Sequence, residues 1–430
     1  MRRAATARAA RVSKRVIMRA LQPGETFAPE RLRAPAEAVA AYLAAVGPRP
    51  RGVERVPLAA ALGRVLAADA VADAAYPADH RSTMDGFAVR SADGAGPRRI
   101  AGAIRMGAAP PAPLGPGEAM RIPTGGVLPA GADAVVPVED ADLAEDAGET
   151  VTPHEAPRAG EYFTPRGEDM APGDLVLPAG RRIGAAELSV LATLGQAEVE
   201  VYLRPRVAVV STGDELVDAG SRPGTGQVRD SNRWAVAGGL IALGCEVVHL
   251  ERARDEVGEI AARIAAGLEV ADAVVLTGGS SVGARDHVPA AIDGLGAPGV
   301  IVHGLSVKPG KPTVLAALGG KPVIGLPGNP TSALTILDAI AGDVIRALSG
   351  AREARRASVA TVAAEPFPGR AGWTWYVPAV LGPEGARPLA LRSSHTSLLA
   401  RADGYVVVGP ERPRIEAGEP VALIRYGAPG

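Results

Sequence analysis

Short apolar runs, broken every few residues by glycine or proline, fill the chain before Arg204. Examples are RRIAGAI, ADAVVPVED and GDLVLPAG, and this pattern is typical of small β-rich units rather than of one wound sheet. One exception precedes them, because PAEAVAAYLAAV, which ends at Gly47-Pro48, predicts an amphipathic N-terminal helix. From about residue 355 to 430 the short strands return and predict a small C-terminal β-barrel or sandwich.

Between Arg204 and residue 350, apolar segments alternate with helical ones. The segments with the continuous apolar character of buried strands are Val207–Val210, 271–279, 300–307 and 321–326. Three segments between and after these strands have helical patterns: the first runs through Leu240–Leu243 and ends at Gly244, the second has Asp255 as its N-cap, and the third is a long helix over about 331–348. This alternation indicates βαβ units and a parallel, doubly wound sheet. The predicted fold class is therefore α/β plus β in a multidomain chain.

Composition narrows the range of functions. A length of 430 residues favours about three domains, and near-equal numbers of basic and acidic residues, 46 and 47, argue against dedicated nucleic-acid binding. The single cysteine, Cys245, excludes an internal disulfide and a cysteine-based metal site, and it fits a reducing cytoplasm. No apolar stretch approaches the roughly 20 residues of a membrane-spanning helix. We expect a cytoplasmic protein without nucleic-acid or membrane partners.

The first 33 residues are rich in arginine and contain no acidic residue before Glu25. This composition fits a transit peptide, a disordered tail, or translation from upstream of a true start near Met18. The tail or the upstream start is favoured, because no hydrophobic export segment follows.

Four loops leave predicted strand ends with residues suited to oxyanion and metal chemistry. They are STGDEL (211–216), TGGSSVGARD (277–286), KPGKP (308–312) and GLPGNP (325–330). In an open α/β sheet, ligands bind beyond the carboxyl ends of the strands. Glycines there leave backbone N–H groups free to face an anion, and a helix N-terminus favours one.

The basic and acidic side chains of these loops are chemically complementary. Only four residues are lysines, and two of them, Lys308 and Lys311, share the string KPGKP. This placement indicates a need for compact ammonium groups, although chance clustering in a surface turn explains it equally well. Glu215, Asp255 and Asp286 are acids suited to holding a divalent cation or positioning water.

Each loop alone is weak evidence, since glycine runs are more often turns and an Asp after a strand is more often an N-cap. Together, at one sheet edge, they predict a site for a phosphorylated small molecule with an assisting metal. The six histidines form no HExxH motif, and neither a Walker A string nor a GxGxxG after a strand is present. The sequence therefore lacks the motifs that would favour a zinc protease, an NTPase or a dinucleotide-binding enzyme.

Eight motifs in order resemble the molybdopterin molybdenumtransferase family (MoeA and the gephyrin E-domain). They are RSTMDGFAVR (81–90), RIPTGGVLPAGADAVVPVED (121–140), RGEDMAPGDLVLPAG (166–180), RPRVAVVSTGDEL (204–216), RDSN (229–232), TGGSSVGARD, KPGKP and GLPGNPTS (325–332). The segment SSHTSLLARADGYVVV (393–408) is also similar to the last domain of the family. The similarity extends from residue 34 to the end.

The resemblance implies a molybdenum insertase of molybdenum-cofactor biosynthesis. Such an enzyme inserts molybdate into adenylylated molybdopterin and releases AMP with Mg²⁺. It implies a homodimer in which the arm of one subunit closes the site of the other, with the molybdopterin adenylyltransferase and apo-molybdoenzymes as further partners. The domains implied after a tail of 1–33 are an N-terminal helix (34–52), a β linker (53–71 and 173–203), a β-rich arm (72–172), a molybdopterin-binding α/β domain (204–350) and a C-terminal β domain (351–430).

The resemblance also implies roles for particular residues. Lys308 and Lys311 would neutralise oxyanion oxygens, and Glu215, Asp255 and Asp286 would organise water and the cation, with Asp255 and Asp286 as metal ligands. Asp85 would act in trans. Substrate binding is implied for Thr124, Asp169, Ser211, Thr212, Gly213, Gly278, Gly279, Ser281, Pro327, Asn329, Pro330, Arg370 and Ser394.

Two departures from the family pattern stand beside these expectations. Members often carry a lysine four residues before KPGKP, where this chain has Gly304, and this loss would weaken oxyanion affinity or shift its preference. Ser280 replaces a common valine, a mild change. The alternatives are a tungstate-preferring insertase and a non-enzymatic scaffold or binding paralogue. The adenylyltransferase, which has a similar α/β domain, fits poorly because it lacks the MDG arm and the β domains.

Overall fold

The computed structural model describes residues 32–144, 149–278, 287–352, 356–390 and 394–429. Gly279, Ser281 and Asp286, all predicted site residues, lie outside the described residues. The described chain divides into two compact units. Unit 1 contains the residues up to Ala68, Ala179–Ala185 and the residues from Glu198 onward, whereas unit 2 contains Asp69–Pro178 and Ala186–Ala197. No helix in the described part is long and apolar enough to cross a membrane.

The described helices are α1 (Pro35–Val46), α2 (Ala185–Thr193), α3 (Asn232–Ala242), α4 (Val257–Val270), α5 (His287–Leu295), α6 (Pro330–Ile336), α7 (Gly342–Ser349) and α8 (Ser397–Arg401). Short 3₁₀ turns span Leu58–Ala60, Ser91–Asp93 and Val138–Asp140. A π-helical segment, Leu337–Ala341, joins α6 to α7, so the long helix predicted over 331–348 is present but contains a π insertion.

The strands of unit 1 before residue 330 are β1 (Val53–Pro57), β12 (Glu198–Tyr202), β13 (Arg206–Thr212), β14 (Leu216–Val217), β15 (Val228–Arg229), β16 (Glu246–Ala253), β17 (Ala273–Thr277), β18 (Pro298–His303), β19 (Val307–Lys308), β20 (Val314–Leu318) and β21 (Lys321–Leu326). The C-terminal strands are β22 (Arg356–Val362), β23 (Phe367–Pro368), β24 (Thr374–Gly382), β25 (Gly385–Pro388), β26 (Gly404–Val408), β27 (Arg414–Ile415) and β28 (Pro420–Pro429).

The strands of unit 2 are β2 (Ala70–Val71), β3 (Arg81–Ser82), β4 (Gly86–Val89), β5 (Arg98–Ala103), β6 (Glu118–Ile122), β7 (Ala134–Pro137), β8 (Ala141–Ala144), β9 (Thr150–Pro153), β10 (Phe163–Thr164) and β11 (Leu175–Leu177). Its main sheet has the order β7-β4-β6-β5-β9-β8. The short-strand pattern before Arg204 therefore gives β structure, as predicted. Helix α2 was not predicted, because its sequence has little amphipathic pattern and in this respect resembles the loop sequences around it.

The α/β part of unit 1 contains a six-stranded sheet of order β16-β13-β17-β21-β20-β18. The first four strands are parallel, but β20 pairs antiparallel with both β21 and β18. The prediction of a parallel sheet is therefore wrong at this edge. The cause is a tight hairpin, since Gly319 and Gly320 have positive φ values of 56° and 80° and form a two-residue turn between β20 and β21.

Both faces of this sheet are covered by helices, as a doubly wound sheet requires. Along β13, Val207 and Val209 pack into a core with α1, α3, α6 and α7, whereas Ala208 and Val210 pack on the other face with α4 and α5. All these side chains are fully buried, which explains the continuous apolar character of the strand sequence. Helix α1 is anchored by Tyr42, whose hydroxyl donates to the Ala316 carbonyl at 2.9 Å.

The C-terminal strands form a second sheet, of order β19-β24-β26-β28-β22, with β25 paired to β24. Strand β19 belongs to the KPGKP region, so a short segment of the α/β part forms the edge strand of the C-terminal sheet. A further pair, β23 and β27, lies beside it. Closure of these strands into a barrel stays a prediction.

Candidate active site

A cavity of about 1030 Å³ opens in unit 1 where the parallel strands β13, β17 and β21 end. Carboxyl ends of parallel strands meet at one edge of a sheet, which is why loops distant in sequence converge there. The C-terminal β strands supply another wall. The predicted site residues that line this pocket are Ser211, Thr212, Gly213, Glu215, Asp255, Gly278, Lys308, Lys311, Pro327, Asn329, Pro330, Arg370 and Ser394.

A buried polar cluster fixes the end of β13. The Ser211 hydroxyl donates to Asp230 Oδ2 at 2.5 Å, and Arg233 Nε lies 3.2 Å from the same oxygen. Ser211 and Asp230 are 0% and 1% exposed. A buried carboxylate needs such partners, because an unpaired charge away from water is very costly. The cluster therefore ties the strand end to the start of α3.

Asn232 joins three of the pocket loops. Its Nδ2 donates to Thr277 Oγ1 at 3.0 Å and to the Gly328 carbonyl at 2.7 Å. The side-chain amide has two donor hydrogens, so both bonds form at once. The ends of β17 and β21 are thus held at a fixed distance from α3.

The close approach of two strand ends makes Gly278 structurally necessary. Its φ is +100°, and a Cβ built there would lie 2.2 Å from the Thr212 carbonyl oxygen. Only glycine satisfies both conditions without strain. Beside it, the hydroxyl of Thr212 is buried and has no hydrogen-bond partner within the described chain. A pocket-lining hydroxyl in this state is suited to a ligand oxygen or N–H group.

The KPGKP loop is held by close packing and backbone bonds. Gly310 has a φ of +110°, and a Cβ there would approach Ile336 Cγ1 to 2.2 Å. The Thr313 hydroxyl donates to the Gly310 carbonyl at 2.6 Å, and the Leu305 amide donates to the Lys311 carbonyl at 2.9 Å. The two lysines, which both line the pocket, therefore belong to a loop with a well-defined backbone.

Two acids line the same pocket as the lysines. Glu215 is exposed and Asp255 is half-buried, and the Asp255 amide donates to Asp214 Oδ1 at 3.1 Å. Asp255 lies two residues before α4, whose N-cap is Glu256, so its prediction as an N-cap is wrong. Among the described residues no group of three or more His, Cys, Asp or Glu could hold a metal ion. Two carboxylates with substrate phosphate still suit Mg²⁺, which keeps several waters.

Unit 2 contains a separate polar pair. Asp85 Oδ1 accepts hydrogen bonds from the Thr124 amide at 2.6 Å and from its hydroxyl at 3.0 Å. These bonds stabilise the charged form, so they hold the pKa of Asp85 below its usual value. Asp169 lies in an exposed bend, where its amide donates to the Tyr76 carbonyl at 3.1 Å. The structure thus brings Asp85 and Thr124 together, and Asp169 has the geometry of a turn residue.

Several pocket residues were not singled out from the sequence. Asp230 and Asn232 belong to the RDSN motif, whose position after a glycine-rich loop was a usable signal. Trp373 and Trp375 also line the pocket, although the chain has only three tryptophans. Their rarity and their i, i+2 spacing at the start of β24 could have marked them, since such spacing in an extended chain places both side chains on one face.

The position of the missing family lysine has a backbone explanation. Gly304 is buried and has a φ of +93°, and its amide donates to the Thr313 carbonyl at 2.9 Å. This left-handed conformation disfavours any residue with a side chain. Gly304 is also not among the pocket-lining residues. In this backbone a lysine at 304 would be strained.

The fold and the pocket define a class: multidomain α/β proteins with a cationic ligand site at the carboxyl edge of the sheet. Three family models match the chain in order. Residues 33–195 match the MoeA N-terminal region (domain I and II), residues 208–347 match a probable molybdopterin binding domain, and residues 360–426 match the MoeA C-terminal region (domain IV).

Individual proteins give the same result. The molybdopterin molybdenumtransferase of Haemophilus influenzae is 33% identical over 385 residues, which cover 87% of this chain and 94% of that protein. A crystal structure of the MoeA protein from Pyrococcus horikoshii matches with a TM-score of 0.70 and 31% identity, covering 92% and 99% of the two chains. A second structure from that organism matches in fold with a TM-score of 0.76 at 23% identity over 92% and 100%. The chain belongs to the MoeA family of molybdopterin molybdenumtransferases.

Proposed function

We propose that this protein inserts molybdenum into adenylylated molybdopterin and releases AMP in a Mg²⁺-dependent reaction. The observation that carries the proposal is the pocket at the strand ends, which is lined by Lys308, Lys311 and Thr212, the last with a hydroxyl that has no hydrogen-bond partner among the described residues. The name of the H. influenzae relative, which is matched over 94% of its length, supports the molybdenum-transfer part of this activity.

The lysines act on the oxyanion. Molybdate and phosphate oxygens carry negative charge, and an ammonium group offers three hydrogen-bond donors to them. Lys308 and Lys311 stabilise charge that develops on these oxygens as the phosphoanhydride bond breaks and AMP leaves. Arg370, also at the pocket wall, adds a further positive charge.

The acids hold the cation and the water. Glu215 and Asp255 present carboxylates to the pocket from two neighbouring loops, a donor set that fits one Mg²⁺ with substrate phosphate and water. When bound, Mg²⁺ neutralises phosphate oxygens and favours departure of AMP. We propose Asp286, which follows the Gly278 loop in sequence, as a ligand beside Asp255.

The remaining assignments belong to the same proposal. The protein acts as a homodimer in the cytoplasm, and the Asp85–Thr124 pair of one subunit completes the site of the other. Gly278, Gly279 and Ser281 hold phosphate, and Pro327, Asn329 and Pro330 shape the pocket floor. The domain boundaries predicted from the sequence, the C-terminal barrel, and the adenylyltransferase and apo-molybdoenzymes as partners are proposed with them.

The test is AMP release from adenylylated molybdopterin by purified protein with Mg²⁺, with and without molybdate. We expect molybdate-dependent release and active cofactor, and a strong loss of both in Lys311→Ala. Arg222→Ala is the matched control, because it removes one exposed positive charge outside the pocket lining. Substrate binding without turnover on molybdate or tungstate would refute the enzyme and favour a binding paralogue. Turnover on tungstate alone would make the protein a tungstate insertase.

A further inference from the structure

We propose that Trp375 is a positioning residue whose indole ring holds the ammonium group of Lys308 in the pocket, ready for an oxyanion. This inference deepens the proposed function and depends on it for the identity of the oxyanion. It assigns a role to a tryptophan that belongs to the C-terminal sheet and not to the α/β loops.

The backbone register places the two side chains together. Strand β19 pairs parallel with β24, with Lys308 opposite Trp375. Next to this pair, the Thr374 amide donates to the Ser306 carbonyl at 2.9 Å. Directly opposed residues in paired strands project their side chains to the same face of the sheet. The contact therefore follows from strand pairing and does not depend on a chance rotamer.

The contact has the geometry of a cation–π interaction. Lys308 Nζ lies 4.0 Å from the centroid of the Trp375 ring, well inside the range of about 6 Å over which tryptophan attracts a cation. Lys308 is exposed and forms no ion pair with any described residue. A free lysine side chain is very mobile. The ring is thus the group that restricts this ammonium within the described part of the chain.

An aromatic ring differs from a carboxylate in one respect that matters here. A carboxylate would cancel the charge of the ammonium and compete with an incoming oxyanion. The ring attracts the cation through its quadrupole and has no net charge, so the ammonium keeps its positive charge and N–H donors for the ligand. Trp375 therefore orients Lys308 without neutralising it.

The wall that carries Trp375 is itself fixed to the α/β part. The Tyr405 hydroxyl donates to Asp338 Oδ2 at 2.8 Å, and the Thr331 hydroxyl donates to the His395 carbonyl at 2.9 Å. These bonds join the C-terminal strands and the segment before α8 to the long helix that starts at the pocket floor. The indole consequently has a defined position relative to the lysine loop.

The first test reads geometry without turnover. Protein labelled with ¹³C at the lysine ε carbon gives few signals, because the chain has four lysines. The ring current of Trp375 should shift the ε-proton signal of Lys308 upfield, and Lys308→Arg assigns it. We expect the shift to disappear in Trp375→Leu and to persist in Trp234→Leu, the same change at a tryptophan that is 55% exposed on α3. Absence of any upfield lysine signal would overturn the proposal.

The second test measures binding of molybdate alone, by titration of the same signal and by calorimetry. Trp375→Leu should weaken binding by about 3- to 30-fold, the range expected for loss of one cation–π contact, and Trp375→Phe should recover part of it. In turnover, the KM for molybdate should rise more than kcat falls. Unchanged molybdate affinity in a folded Trp375→Leu protein would refute the role.

Fluorinated tryptophan covers the case in which Trp375→Leu does not fold. 5-Fluorotryptophan keeps the shape of the ring and weakens its attraction for cations. It should lower molybdate affinity in Trp373→Phe and leave affinity unaltered in the Trp373→Phe/Trp375→Phe double variant, where only Trp234 is fluorinated. Trp373 is removed from both proteins because its ring lies 5.5 Å from the guanidinium carbon of Arg370. Equal effects in both proteins would contradict the proposal. If molybdate binding follows these expectations but AMP is never released, the positioning role stands and the proposed function fails.

Discussion

Substitution of Gly278 by alanine tests whether the strand ends around the pocket are as closely packed as the structure indicates. The added Cβ would lie 2.2 Å from the Thr212 carbonyl oxygen, on a residue whose φ is +100°. Real contacts of this kind are longer than 3 Å, so the two loops must separate by about 1 Å or the Gly278 backbone must change. Either response displaces the hydroxyl of Thr212 from the pocket wall.

The magnitude has two parts, and the chain contains two control glycines, one with only the positive φ and one with neither feature. Positive φ costs a non-glycine residue about 1–2 kcal/mol, and forced overpacking adds about 1–3 kcal/mol. Gly226 has a φ of +81° with nothing within 4 Å of a built Cβ, so Gly226→Ala measures the first part alone. Gly220 has open space and no left-handed φ, so Gly220→Ala should be neutral.

Thermal unfolding of the three variants provides the assay. We expect no loss for Gly220→Ala, about 1–2 kcal/mol for Gly226→Ala and about 2–5 kcal/mol for Gly278→Ala. For a domain of this size each kcal/mol lowers Tm by about 2–4 °C. Molybdate binding should fall only in Gly278→Ala. If Gly278→Ala is no less stable than Gly226→Ala and binds normally, the close approach of Thr212 is not a constraint in solution.

Three further predictions concern other parts of the chain. Thr124→Val removes the hydrogen bond from the Thr124 hydroxyl to Asp85, so the pKa of Asp85, measured by carboxyl ¹³C NMR, should rise toward its usual value, and an identical pKa in both proteins would contradict this. Because the pKa of Asp85 is lowered in the folded protein, the stability that its hydrogen bonds contribute to the wild type is present at pH values above the usual pKa. This contribution is lost as the pH falls through the lowered pKa. Gly304→Lys should lower Tm by the equivalent of about 1–2 kcal/mol from its positive φ, and tighter molybdate binding with unchanged Tm would contradict that reasoning. Asp230→Ala should cost about 3–5 kcal/mol, because it leaves buried partners unpaired; a denaturation midpoint equal to that of the wild type would show that the cluster around Ser211 is not needed.

The apolar pattern predicted the α/β sheet well where strands are buried on both faces. Val207–Val210 reads as a buried strand because neighbours on both sides exclude water from it. The antiparallel pair β18–β20 was missed, since β20 is as apolar as a parallel strand and differs only in its direction. That direction is set by the Gly319-Gly320 turn, a local signal that the overall alternation of strands and helices conceals.

The sequence anticipated which loops meet at the pocket, but of the C-terminal wall it gave Arg370 and Ser394 and not the tryptophans. Loop residues such as Gly213 and Lys311 follow directly from strand ends, so their convergence at one pocket could be anticipated from topology. Trp375 enters the same pocket through pairing of β24 with β19, a contact between segments more than 60 residues apart that no local pattern encodes. Asp255 was predicted to be a helix N-cap because acidic residues are common at that position. Helix α4 starts two residues later, and its N-cap is Glu256.

The pairing of β19 with β24 bears on how this protein can be divided into fragments. Val307 and Lys308 are at once the start of the lysine loop and the edge strand of the C-terminal sheet. A fragment that ends near residue 350 would expose that edge and release the loop from its neighbour, although every α/β strand would still be present. Chimeras that exchange the C-terminal part should therefore take their boundary to include a matching partner for these two residues. The functional module is the pair of sheets, and neither sheet alone is interchangeable.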